Sequence, residues 1–156
     1  MQKPVSAVRI FLDANVIFSA AYSPKGRSAV IFLFARRKWC RLISSRFALE
    51  EARRNLEQLR PAALKSFEKN LPWIRIVSEA DATAIEKIAS IGLDTGDVPI
   101  LAAAIGQAAI LVTGDQKHFG RWMKQTVYGV HVLSLASTLE LLLVARKSTS
   151  EISRSH

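Results

Sequence analysis

Cysteine is almost missing from this chain: Cys40 is the only one among 156 residues. That excludes an internal disulfide and fits a reducing compartment. Its neighbours Trp39 and Leu42 read as packing, and no histidine follows at a suggestive spacing, so Cys40 reads as a small buried residue rather than a nucleophile. Long apolar runs are also lacking. The nearest to a membrane span, Ile100 to Val112, contains Gly106 and Gln107 and falls short of the roughly 18 uninterrupted residues needed. The N-terminal run from Val8 to Ala21 is broken by Arg9, Asp13 and Asn15, which makes a poor signal-peptide core. A cytoplasmic chain without membrane contact is the expectation. Acidic residues are scarce beside basic ones, 13 against 22, giving a formal charge of +9 and a pI near 10.2. Such a surface attracts polyanions, either nucleic acid or an acidic protein partner, and composition does not separate the two.

What is present is enough for one domain. A chain of this length buries roughly 68 to 70% of its extended surface, so it needs no staple. No internal repeat, low-complexity block or linker divides it. Residues 1–147 read as a single domain, and the polar stretch 148–156 as a disordered, frayed tail.

Five short runs read as strands: Val8 to Leu12, Leu42 to Ser44, Ile74 to Val77, Ile110 to Thr113 and Val130 to Ser134. Helical spacing fills the intervals. It appears after Asp13, over Ser28 to Arg37, over Arg46 to Leu59 with Phe47, Glu51 and Asn55 on one line, and from Ala62 to Asn70 after the break at Pro61. It returns over Ser78 to Ile91, terminated by Gly92, over Asp94 to Gly106 with Pro99 in the first turn, and over Leu135 to Lys147. Alternation of this kind predicts an α/β sandwich around a mostly parallel five-stranded sheet.

Four acids stand at the edges of apolar segments: Asp13 in IFLDANVI, Glu51 in FALEEARRNL, Asp97 in LDTGDVPILAAA and Asp115 in ILVTGD. In an open parallel sheet, function gathers beyond the carboxyl ends of the strands. Asp13 and Asp115 follow two such ends, and Asp97 opens a helix. If the sheet gathers all four, two charges about 4 Å apart repel by about 4 kcal/mol at an effective dielectric of about 20. Cations are then required, and oxygen donors without Cys or His select Mg²⁺ or Mn²⁺ over zinc. Each acid also has an ordinary role open to it. Asp13 can cap a helix, Asp97 can be an N-cap or a first-turn acid that complements a helix dipole, Asp115 can serve a turn beside Gly114, and Glu51 can be an exposed helix charge.

Taken together, LDANVIFSAAYSPKG, SSRFALEEARRNL, DTGDVPILAAAIGQAAILVTGD and the KHF that follows resemble the PIN domain, most closely its toxin-like, VapC-type branch. The likeness covers residues 8 to 145. It implies a three-layer α/β/α sandwich and a Mg²⁺- or Mn²⁺-dependent ribonuclease, with Asp13, Glu51, Asp97 and Asp115 as the acidic set. Glu51 is preferred to Glu50 because the family's acid comes six residues after the strand-end serine, here Ser45, and Glu50 projects about 100° away. Asp94 is an accessory candidate that equally suits a cap. Asn15 and Thr113 match polar positions that support the site by orienting carboxylates or a metal-bound water. Where many relatives carry a further acid, this chain has Gln116, Lys117 and His118, which leaves one or two metal ions open. Lys117 and His118 are candidate phosphate contacts.

Hydrolysis of an RNA phosphodiester is the implied reaction, with Asp13 as a direct ligand, Asp97 and Asp115 completing the metal sphere, and Glu51 ligating or orienting the attacking water. The toxin-like resemblance further implies RNA as substrate, an acidic antitoxin protein and a homodimer. Trp39, Trp73 and Trp122 read as packing residues. The alternative from another class is a catalytically inactive PIN-like module that binds RNA or protein. A phosphotransferase with Asp13 as nucleophile is disfavoured, because a second acid is wanted two residues on and Asn15 stands there.

Overall fold

The structure, a computed structural model, describes residues 8–114, Phe119 and 125–154, with side chains described as far as Lys147. Lys117, His118, Asp115 and Trp122 lie outside these residues.

Strand β1 (Val8–Leu12) leads into helix α1 (Ala14–Tyr22), and α2 (Arg27–Arg36) precedes β2 (Cys40–Ser45). Helix α3 (Arg46–Leu59) ends where Pro61 opens a short 3₁₀ turn. The chain continues through α4 (Leu64–Asn70), β3 (Ile74–Val77), α5 (Ala82–Ala89) and α6 (Val98–Gly106). Strands β4 (Ile110–Val112), β5 (Thr126–Val127) and β6 (Val130–Leu133) and helix α7 (Leu135–Arg154) complete it. The strands form one sheet in the order β3-β2-β1-β4-β6-β5. All neighbours are parallel except β5, which runs antiparallel to β6.

Seven helices among the described residues flank the sheet, giving the expected three-layer α/β/α sandwich. Ile10, Phe11 and Leu12 in β1 are fully buried, as a central parallel strand covered on both faces requires. Helix α6 buries Val98, Ile100, Leu101, Ala102, Ala103 and Ala104, so the all-round apolar run too short for a membrane is a core helix. Among the described residues no helix is long and apolar enough to cross a membrane.

The sheet has six strands rather than five. The extra one, β5, is two residues long, too short to register as a run. It is held against β6 by a hairpin whose corner, Tyr128 and Gly129, has φ of 47° and 83°. Two successive positive φ values match the twist of paired strands, and glycine reaches its value without a Cβ penalty. Helix α7 runs to Arg154, beyond its expected end at Lys147 and through most of the stretch expected to fray. No glycine or proline lies within it to stop the backbone hydrogen bonding. Helix α5 begins at Ala82 rather than Ser78, because Asp81 caps it by accepting from the Ala84 amide at 2.8 Å.

The order of the strands decides where a ligand can enter. From β1 the chain moves to β2 and β3 on one side, then returns to place β4 on the other side of β1. That reversal at β1 makes the carboxyl ends of β1 and β4 the switch point, where a parallel sheet offers a crevice.

Candidate functional site

Asp13 is the first residue beyond β1, and Thr113 the first beyond β4. The pairing of Leu12 with Val112 sets them side by side. Asp13 occupies the N-cap of α1, with φ −70° and ψ 158°. One carboxylate oxygen accepts from the Ala14 amide at 2.7 Å and the other from the Thr113 hydroxyl at 2.6 Å. The residue is only 4% exposed and Thr113 is fully buried. Asp13 thus does cap a helix, but that role takes one oxygen. A neighbouring strand supplies the donor to the other, a short contact of the charge-assisted kind.

Asn15 reaches across the same crevice, its side-chain oxygen accepting from the Gly114 amide at 3.1 Å. A third connection is anchored deeper: the buried Ser44 hydroxyl donates to the Leu12 carbonyl at 2.9 Å, tying the end of β2 to the end of β1. Ser45 then caps α3 by accepting from the Ala48 amide at 3.2 Å. That cap fixes the register of α3, which buries Ala48, Leu49, Ala52 and Leu56. Glu51 consequently sits half-buried on the side turned to α1, with Asn55 one turn further along.

A cleft of about 340 Å³ lies between these elements, and Asp13, Asn15, Glu51, Asp94 and Asp97 all line it. Glu50 does not; it is exposed and lines a separate hollow with Arg46, Phe47 and Glu79. Asp97 stands at the N-cap position of α6 yet makes no capping hydrogen bond, so the helix-cap role considered for it is not the one its side chain takes. Capping of that turn falls to Asp94. Its carboxylate accepts from the Gly96 amide at 3.0 Å, and its carbonyl accepts from the amides of Asp97 at 2.9 Å and Val98 at 3.2 Å.

Two polar side chains in the lining were not among the site residues expected from sequence: Ser19 and Asn55. Each follows a site residue by four positions, Asn15 and Glu51 respectively. Helical spacing is therefore the signal that finds them once the packing of α1 against α3 is known.

A family model described as the PIN domain matches residues 9–117. The chain belongs to the PIN-domain family. Its fold is similar to that of VapBC2 from Rickettsia felis, solved bound to a DNA fragment from its promoter, with a TM-score of 0.63 and 16% identity over 81% of this chain and 98% of that one. PAE2754 from Pyrobaculum aerophilum is similar at a TM-score of 0.62, with 20% identity over 88% and 98% of the two chains. VapBC-1 from nontypeable Haemophilus influenzae follows at 0.59, with 18% identity over 83% and 99%. No curated protein matches the sequence. At these identities the likeness to solved structures is one of fold.

For a PIN domain the donor chemistry of the cleft matters most. Its carboxylates and amide and hydroxyl oxygens, with no Cys or His among the described lining residues, suit a hard divalent cation. Among the described residues no group of three or more His, Cys, Asp or Glu could hold a metal ion, so the described carboxylates alone do not close a coordination shell. The sequence places Asp115 next to Gly114, whose amide is bonded to Asn15 of the cleft.

Proposed function

We propose that this PIN domain is a Mg²⁺- or Mn²⁺-dependent endoribonuclease, the toxin of a toxin-antitoxin pair. The observation that carries this reading is the convergence of Asp13, Glu51, Asp94 and Asp97 on one cleft at the switch point of the sheet. Asp13, Asp97, Glu51 and Asp115 are the residues that hold the metal, and Asn15, Thr113 and Asp94 support them. A bound Mg²⁺ or Mn²⁺ would lower the pKa of an attacking water and supply positive charge for the phosphorane-like transition state.

The chain's own residues do the rest. Asp13 is pre-oriented by the Ala14 amide and the Thr113 hydroxyl, so it gives up little conformational freedom on ligation. Glu51 orients the attacking water from the α3 side, where its helix is held by the Ser45 cap. Asn15 ties the β4 connection to α1 and keeps the crevice at one width. Lys117 and His118 contact phosphate. The +9 charge draws RNA to the surface, and an acidic antitoxin segment competes for it. The toxin-like motifs and the likeness of fold to VapBC2 and VapBC-1 support the antitoxin partner, and a homodimer accompanies that reading.

Mixed RNAs incubated with the wild type and with an Asp13→Asn, Asp97→Asn double variant, in Mn²⁺ or in EDTA, test the proposal. Cleavage is expected only from the wild type with metal. Equal cleavage by both proteins, or cleavage insensitive to EDTA, sinks it. If calorimetry finds no metal binding while Asp13→Asn keeps the RNA affinity of the wild type, the chain is a binding module instead.

A further inference from the structure

The carboxylate cleft has no cation in its lining among the described residues, although the chain carries a formal charge of +9. One cluster of cations lies at the opposite end of the sheet. A pocket of about 780 Å³ there is lined by Arg9, Lys38, Arg41 and Arg75 together with Trp73, and no carboxylate is among its described lining residues. The register explains the grouping. Arg9 of β1 pairs with Arg41 of β2, and Arg75 of β3 pairs with Ile43, two residues beyond Arg41. Side chains alternate along a strand, so all three arginines emerge on one face, on neighbouring strands about 4.8 Å apart. All four cations are exposed.

Exposed like charges on neighbouring strands repel one another modestly, and a bound anion relieves that repulsion. Apolar packing does not account for them either, since Arg41 and Arg75 sit where a covered strand would carry aliphatic residues.

Trp73 adds a second kind of contact. Read from sequence as a packing residue, it is 42% exposed, with the Arg36 guanidinium 5.7 Å from the ring centroid. An exposed indole beside cations able to grip phosphate in a forked geometry is a platform for an unpaired base. Duplex DNA hides its base faces and uses only the charges.

We propose that this pocket binds single-stranded RNA as a site separate from the carboxylate cleft. The inference rests on the ribonuclease reading for its ligand but not for its test, which needs no cleavage. Arginines on neighbouring strands contact successive phosphates, and a base stacks on Trp73. The substrate is then held at the amino-terminal edge of the sheet while another part of it occupies the cleft.

Fluorescence anisotropy of a labelled oligouridylate, with EDTA present throughout, measures the site over a salt series in the full chain. Arg41→Gln with Arg75→Gln should weaken binding at least about tenfold and reduce the slope of log affinity against log salt by about 1.4. Trp73→Ala should weaken it by about five- to hundredfold with the slope unchanged. Arg41→Lys with Arg75→Lys should keep the salt slope and bind more tightly than the glutamine pair though below the wild type, which separates lost charge from lost folding. Unchanged affinity in the glutamine pair, or no binding by the wild type, overturns the inference. Polyglutamate binding as tightly as the oligonucleotide, with Trp73→Ala altering neither, overturns it in favour of an acidic protein surface. Metal-dependent cleavage that survives the glutamine pair with unchanged affinity refutes this site and leaves the ribonuclease standing. RNA binding lost on those substitutions without any cleavage supports this site and refutes the ribonuclease.

Discussion

Replacing Thr113 by valine isolates what holds Asp13 in place. The two side chains have nearly the same shape, so the change leaves no cavity in a fully buried position and removes only the hydroxyl that donates to Asp13 at 2.6 Å. A hydrogen bond to a charged acceptor is worth about 1.5 to 3 kcal/mol. For a domain of this size, 1 kcal/mol moves the melting temperature by about 2 to 4 °C. Thr113→Val should therefore melt about 3 to 12 °C below the wild type in EDTA. The same substitution in an Asp13→Ala background should cost almost nothing, because the acceptor has gone. The cycle should then close with a coupling of about 1.5 kcal/mol or more. Additive effects within about 0.5 kcal/mol would refute the reasoning, since Thr113 would then stabilise the fold independently of Asp13. On the ribonuclease reading, loss of this donor also lowers metal-dependent cleavage by about 10- to 100-fold, with Thr113→Ser restoring most of it.

Three further outcomes follow from the same geometry. Glu51→Gln should depress Mn²⁺-dependent RNA cleavage by at least about tenfold, whereas Glu50→Gln, in a different hollow, should leave it within about twofold of wild type. Similar losses in both would refute the assignment of the second acid. Burial raises the Cys40 thiol from 9.0 to about 12. The unfolded chain therefore ionises this group first, so its contribution to stability is complete below about pH 9 and is lost as the pH rises toward about 12. Denaturant titrations should show stability falling by up to about 1.4 kcal/mol more per pH unit than in a Cys40→Ala variant. Parallel curves for the two proteins would contradict it. Gly129→Ala, which forces a Cβ onto φ 83° with open space around it, should lower stability by about 1 to 2 kcal/mol through backbone strain alone, read by thermal melting. An unchanged melting temperature would show that the β5-β6 corner does not need that conformation.

Much of the fold can be read along the chain because its signals are local. The alternation of apolar runs with helical spacing, the Ser45 cap and the break at Pro61 each involve a few neighbouring residues, and Arg46–Leu59 forms the helix expected over the same span. The fifth strand in chain order escaped for the complementary reason. Thr126 and Val127 carry too little pattern to stand out, and only pairing with β6 makes them a strand. Helix α7 outran its expected end because polar residues late in a helix look like a tail when backbone continuity cannot be seen.

The candidate site divides in the same way. Sequence by itself singled out Asp13, Glu51, Asp97 and Asp115, because acids beside buried segments are unusual, and the PIN-type motifs marked Asn15 and Thr113. Which of them share a cleft depended on contacts between residues about a hundred positions apart, such as Asp13 with Thr113 and Asn15 with Gly114. The packing of α1 against α3 set Glu51 apart from Glu50 in space and brought Ser19 and Asn55 to the same wall. Composition likewise registered an excess of positive charge, but only the register of β1, β2 and β3 gathered Arg9, Arg41 and Arg75 onto one face. Local chemistry determines what each segment offers. Strand order and register, fixed by burial of apolar surface across the whole chain, determine which offers meet.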